Sequence, residues 1–190
     1  MEIRPLEPSD KEDSYAIIKV ILEHLDVPLI NQFGWEEAKE ILKTAMDKPY
    51  YRYGCQNGYG VFVEGELVSV AYAYPGVMDP MIEAPLETTM IEMGYFSDQI
   101  PSRYAFVEAL MDEFYLDSIA TKKDYEKNGY ATALIHYLEK QAQAQGYAKL
   151  SLNVDFDNQK ARQLYEQLGF TVRSEVMIGG QAHYHLVKEV

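Results

Sequence analysis

The sequence is short of cysteine, of positive charge and of long apolar runs, and each shortage removes a class of function. Cys55 is its one cysteine. A lone thiol closes no internal disulfide, forms no CxxC metal or redox pair, and suits a reducing compartment. No stretch approaches the roughly 20 apolar residues that span a bilayer. The opening MEIRPLEPSDKED is charged from its second residue and has no apolar signal core. The expectation is a cytoplasmic protein. GxGxxG and GxxxxGK(S/T) are both absent, so dinucleotide and P-loop readings lack their motif. Lys and Arg number 17 against 30 Asp and Glu, a net charge of −13, which disfavours nucleic acid or an anionic membrane as partner. The excess is uneven. Residues 1–113 carry 21 acidic and 8 basic side chains, whereas residues 114–190 carry nine of each. A balanced C-terminal part with local lysines suits an anionic ligand, and the acidic part suits a cation approaching from the other side. Acidic surface that merely keeps the protein dispersed is the competing explanation.

What is present fits an ordinary globular chain, 190 residues with 47% hydrophobic and 25% charged. A domain of this size buries roughly 70% of its unfolded surface, enough for a core without disulfides or metal, so residues 1–190 are read as one domain. Met1 to Leu6 alternates as a first strand. Ser9 and Glu12 have capping-box spacing, and the face Ile17, Ile18, Ile21, Leu22, Leu25 predicts a helix ending before Pro28. Trp35, Ala38, Ile41, Leu42 and Ala45 predict a second helix to about Asp47. Gly60 to Tyr74 is a hairpin about Glu64-Gly65-Glu66. Phe114 to Ala120 reads as a strand, Gly129 to Gln145 as a helix and Lys149 to Val154 as a strand. A helix follows, capped by Asp157 or Asn158, with Ala161, Leu164, Tyr165 and Leu168 inward. Phe170 to Ile178 and Ala182 to Val187 close the chain as a hairpin through Gly179-Gly180. These elements build an α/β fold on a mixed sheet. Residues 79–113 interrupt the order as an insertion, with short helices expected over Leu86 to Met93 and Tyr104 to Met111.

The strand ending at Thr121 runs through Lys122, Lys123 and Asp124 into Glu126-Lys127-Asn128-Gly129-Tyr130-Ala131 and a helix. A glycine at a helix start admits a ligand close to the backbone, and unpaired N–H groups with the helix dipole favour an anion there. Taken alone, an ordinary helix start explains the same residues.

Leu152-Asn153-Val154 through Asn158, Ala161, Leu164-Tyr165 and Gly169-Phe170 resembles the L-x-V-x-x-x-N-x-x-A-x-x-L-Y-x-x-x-G-F signature of the GNAT family of N-acetyltransferases. It stands at the expected distance after Glu126 to Ala131, which resembles that family's (Q/R)-x-x-G-x-(G/A) pyrophosphate loop. One position departs: Glu126 occupies the place of Gln or Arg. The resemblance implies a mixed, mostly antiparallel sheet flanked by helices, with the 79–113 segment inserted between the third and fourth strands. It also implies acetyl-CoA as acyl donor, no metal, and direct attack of an amine on the thioester. Main chain at Ile119, Ala120 and Thr121 would pair with the pantetheine arm, and amides of Lys127, Asn128, Gly129, Tyr130 and Ala131 would hold the pyrophosphate. Asn158 would hydrogen-bond the pantetheine, and Tyr165 would protonate the leaving thiolate.

The base is less defined. Asp117 and Tyr115 lie two and four residues before Ile119, on its face if strand pairing is regular, and Asp117 is the catalytic candidate beside a structural carboxylate reading or a water chain. Tyrosines 50, 51, 53, 59, 72 and 74 furnish an acceptor pocket or core packing. His183 and His185 share a strand face but lack the third ligand of a metal site. The acceptor is a primary amine, a small cationic molecule or a protein N-terminus. A non-catalytic acyl-CoA-binding module or sensor is the alternative. The 79–113 segment carries eight acidic side chains against Arg103, and is read as a lid attracting cationic amines, or else as solvated surface or a homodimer contact.

Overall fold

The computed structural model describes residues 1–25, 27–101 and 107–190. Its frame is a seven-stranded sheet in the order β1-β2-β3-β4-β5-β7-β6. The strands are β1 (Glu2–Pro5), β2 (Gly58–Val63), β3 (Glu66–Pro75), β4 (Phe114–Thr121), β5 (Lys149–Asp155), β6 (Thr171–Ile178) and β7 (Gln181–Glu189). Among the described residues every neighbouring pair is antiparallel except β4 and β5. The β2–β3 turn is tighter than the three residues expected. Glu64 and Gly65 adopt φ +52° and +86°, a two-residue turn whose twist matches the strands, and Glu66 already belongs to β3.

Alternation along β3 sends Val70 and Tyr72 to one face and Ala71 and Ala73 to the other. The first face packs against α1 (Lys11–Leu22), α2 (Pro28–Ala45) and α3 (Ala84–Glu92), through Ile18, Ile41 and Met90. The second packs against α4 (Tyr130–Ala144) and α5 (Gln159–Gln167), through Leu134, Leu138 and Tyr165. Residues 76–113, from the end of β3 to β4, form the inserted segment on the first face.

Several local expectations change. The start of α1 is not held by Ser9 and Glu12. Asp10 accepts two hydrogen bonds from Arg4, at 2.7 and 3.1 Å, and one from the Glu7 amide at 2.8 Å. Pro28 opens α2 instead of merely following α1, because a first-turn position needs no N–H. The segment from Pro28 to Phe33 is joined to the expected helix across a break at Gly34, φ +73° and ψ 171°. Leu25 falls beyond the end of α1 and is exposed. The stripe on α5 is half-buried, not buried. Helix α3 forms near its expected place; Arg103 and the start of the expected helix at Tyr104 lie outside the described residues, and 107–111 is not helical.

Two irregularities matter for function. β4 and β5 pair only from Phe114–Leu150 to Leu116–Leu152 and then separate. At the same level β4 bulges: Tyr72 pairs with Ser118 and Ala73 with Leu116, leaving Asp117 unpaired. The extra residue reverses the alternation, so Phe114, Leu116 and Ile119 face α4 while Tyr115 and Ala120 face the other side. The expectation that Asp117 and Tyr115 share a face with Ile119 is therefore wrong, because it assumed regular pairing.

Gly76 seats the insertion against β4. Its amide donates to Glu113 O at 2.8 Å, and a Cβ placed on it would lie 1.9 Å from Leu110 O. Gly76→Ala should push residues 107–113 away and lower stability by about 1–3 kcal/mol. Denaturant titration should show a lower midpoint at unchanged slope.

Candidate functional site

Where β4 and β5 part, a cavity of about 770 Å³ passes through the sheet, a size typical of small-molecule sites. Val154, Asn158, Ala161 and Tyr165 line its end on the α5 side, Asp117 and Ser118 its middle, and Leu29, Leu86 and Met90 its far end. Residues 117–121 of β4 have β3 on one side and no strand on the other. The N–H and C=O groups on that open side form an internal sheet edge, to which an extended ligand can add like a strand.

Asp117 stands at the mouth of this opening, with its side chain 2% exposed. Tyr74 Oη donates to its Oδ1 at 3.1 Å and Ser118 Oγ to its Oδ2 at 2.9 Å. Arg52 Nη1 lies 3.2 Å from Oδ1. The same guanidinium reaches Glu108 Oε1 at 3.1 Å through Nη2, and its Nε lies 2.5 Å from Glu83 Oε1, off the N–H axis. One buried cation thus faces three carboxylates, two of them from the insertion. Burial pushes the Asp117 carboxyl up to about 6, against the pull of Arg52; Glu108 adds to the rise, and the Ser118 and Tyr74 hydrogen bonds oppose it. A carboxyl in that range is ionised near neutrality yet basic enough to take a proton. Behind it, Tyr115 Oη donates to Glu108 Oε2 at 3.1 Å, and Asn153 Nδ2 donates to Tyr115 Oη at 3.1 Å and to Glu108 O at 2.9 Å. These bonds fix the Glu108 side of the Arg52 clamp.

The segment from β4 to α4 forms a cradle. Lys127 and Gly129 both adopt left-handed backbone, φ +63° and +81°. Asn128 Nδ2 holds the loop from inside, donating to Tyr125 O at 3.0 Å and Glu126 O at 3.3 Å. Among the described residues the amides of Lys127, Asn128, Gly129, Tyr130 and Ala131 have no acceptor. A Cβ on Gly129 would meet nothing within 4 Å, so the space over the cradle is open. Convergent N–H groups at a helix N-terminus are the donor set that a phosphate group needs. The lysines contribute unequally. Lys122 Nζ is held 2.8 Å from Glu66, and Tyr125 Oη donates to the same carboxylate at 2.8 Å. Lys123 and Lys127 remain exposed beside the loop.

Residues 30–170 match the acetyltransferase (GNAT) family. The chain belongs to that family. An acetyltransferase crystal structure aligns over 100% of both chains with TM-score 0.89 and 30% identity. An N-acetyltransferase from Staphylococcus aureus Mu50 aligns over 99% of this chain and 100% of its own, with TM-score 0.86 and 23% identity, a likeness of fold. In sequence, the ribosomal protein bS18-alanine N-acetyltransferase of Escherichia coli strain K12 is 37% identical over 67 residues, 35% of this chain. That match spans 45% of the relative, so the chain covers just under half the length of the curated relatives it matches.

Within this GNAT fold Tyr165 and Asn158 reach the cavity with Asp117, while Ile119, Ala120 and Thr121 supply the open strand edge. Thr121 Oγ1 is engaged by Ser69 Oγ at 2.8 Å, so what it offers is main chain. Asn158 Oδ1 accepts from the Ala161 amide at 3.1 Å and caps α5, leaving its NH2 group for a ligand. Tyr165 packs edge-on to Phe170, has no hydrogen-bond partner among the described residues, and is pushed by burial up to about 12. Glu126 is exposed at the cradle's rim and only its backbone shapes the loop. Of the expected tyrosines, 51 and 53 line the cavity, 59, 72 and 74 are buried, and Tyr50 is exposed. His185 is buried, with Nδ1 2.8 Å from Asn153 Oδ1 and Nε2 3.1 Å from Glu113 Oε2. Among the described residues no group of three His, Cys, Asp or Glu could hold a metal, and no helix is long and apolar enough to cross a membrane.

Sequence reasoning missed Arg52. Its signal was isolation: it is the only Lys or Arg between Lys48 and Arg103. Replacing it by Gln removes the attraction that holds Asp117 down, so the Asp117 midpoint should rise above about 6. Infrared difference titration, assigned with Asp117→Asn, reads this directly, and an unmoved midpoint would show that Arg52 does not govern the carboxyl.

Proposed function

We propose that the protein is an acetyl-CoA-dependent N-acetyltransferase that moves an acetyl group to a primary amine by direct attack on the thioester. The observation that carries this reading is Asp117, a buried carboxylate poised near pH 6 at the mouth of the β4–β5 opening, in one cavity with the Tyr165 hydroxyl. Bound acetyl-CoA supplies the activated acyl group. Its pyrophosphate suits the amides of Lys127 to Ala131, and its pantetheine arm suits the open edge at Ile119, Ala120 and Thr121 with the Asn158 NH2 group. Asp117 takes a proton from the entering ammonium, freeing the nitrogen lone pair. A main-chain N–H near Thr121 polarises the carbonyl as charge develops on its oxygen. Tyr165 donates its proton to the departing sulfur and regains one released by the acylated nitrogen. With its hydroxyl pushed up to about 12, Tyr165 is protonated at every working pH, which suits an acid and not a base.

The acceptor reads as a cationic amine, either a small molecule or a protein N-terminus; the bS18-alanine relative is named for the latter. Asp79, Glu83, Glu87, Glu108, Asp117 and Asp155 all line the cavity, against Arg52 and His183. Four of these acids belong to the insertion, in keeping with a role over the acceptor. Its other acids are spent elsewhere: Glu92 pairs with Lys48, Asp112 with Lys149 and Glu113 with His185. Glu92 is not a cavity residue, so it drops out of the expected amine-attracting surface. The Glu126 departure leaves the backbone cradle as the principal phosphate-binding feature.

Release of free thiol from acetyl-CoA across a panel of amines tests the reading, and binding without release on a broad panel would favour the non-catalytic module. kcat/KM should rise with pH through about 6, because the base must be ionised, and Asp117→Asn should flatten that limb while lowering kcat by about 10²- to 10⁴-fold. Tyr165→Phe should lower kcat by roughly 10- to 10³-fold with little change in cofactor affinity; wild-type turnover would make it a packing residue. Gly129→Val combines backbone strain at φ +81° with a side chain in the cradle's open space. It should weaken acetyl-CoA binding in calorimetry while the fold persists.

A further inference from the structure

The cavity is larger than an ammonium needs, and its two arms differ in chemistry. The carboxylates gather around Arg52, in its middle. Beyond them the wall passes to α1, α2 and α3, where Leu22, Leu29, Leu42, Leu86, Met90 and Ile100 face the space. The cavity-lining residues between Ile21 and Leu42 are all apolar. A second ammonium reaching this arm would lose its hydration without gaining a partner, a cost of several kcal/mol. An apolar chain would instead gain by leaving water.

We propose that the acceptor is an amphipathic monoamine, with its nitrogen at the Asp117 carboxylate and an aliphatic or aromatic body lying along the arm between α1, α2 and α3. Charge complementarity fixes the direction. The cationic head belongs at the acidic middle, beside the opening toward α5, and the apolar tail belongs in the far arm. A polyamine or an aminoglycoside-like acceptor does not fit, because its further charges would occupy that arm. The assignment rests on the acetyltransferase reading for its chemistry, but the cavity's preference among ligands is independent of turnover.

The test is a series of linear alkylamines from propylamine to decylamine, compared with spermidine and with an alanine-leading peptide. Both acetyl-CoA-dependent thiol release and calorimetric binding to the protein without acetyl-CoA are measured. Affinity and kcat/KM should climb roughly three- to fourfold per methylene until the arm is full, with spermidine and the peptide poorer than hexylamine. Leu86 is half-buried on α3, and Leu86→Trp should move the optimum to shorter chains without changing acetyl-CoA affinity. A flat dependence on chain length in both measurements overturns the proposal, as does spermidine or the peptide matching the best alkylamine. If binding climbs with length while no amine releases thiol, the amphipathic site stands and the acetyltransferase reading falls.

Discussion

The separation of β4 from β5 after three parallel pairs is the constraint on which the rest of the site depends. A continuous sheet would satisfy the main chain of both strands and close the passage between its faces. Because β4 turns away at the Asp117 bulge, its last residues keep an unpaired edge. The α4–α5 side and the α1–α3 side then communicate through the gap. An extended donor can lie along the edge from one side and an acceptor can enter from the other, meeting at the level of Asp117. The bulge also reverses the face on which Asp117 would otherwise lie, placing the carboxylate toward the acceptor side.

Electrostatics follow from that placement. A carboxylate moved out of water must be compensated, and Arg52 does so, but it is shared with Glu83 and Glu108. Three carboxylates against one guanidinium leave Asp117 held ionised less firmly than in a one-to-one pair. The insertion, in turn, provides two of the carboxylates that set this balance, and Gly76 provides the close backbone contact that seats it. A segment that reads as an acidic surface excursion therefore contributes to the basicity of the central carboxylate.

The cofactor side was legible residue by residue because its function is local. The cradle needs a left-handed glycine, free amides and a helix start within a few consecutive residues, and Glu126 to Ala131 announce these directly. Asn158 and Tyr165 sit at helical spacing after a strand, so their common direction follows from periodicity. Strand and helix order was equally readable, since hydrophobic period and turn residues act over short range. The local misreadings share a physical cause: Pro28, Asp10 and the half-buried face of α5 each took a role set by a neighbouring element.

By itself the sequence determined the element order, the phosphate-type cradle, the α5 signature and the concentration of acid before residue 114. Each is carried by residues close together in the chain, where spacing translates into geometry. Only the tertiary structure decided the face of Asp117, the clamp by Arg52, and the apolar arm between α1, α2 and α3. A β-bulge changes the parity of everything beyond it without leaving a sequence mark. Arg52, Glu83, Glu108 and Asp117 are brought together from separate elements only when the insertion folds over the open sheet edge.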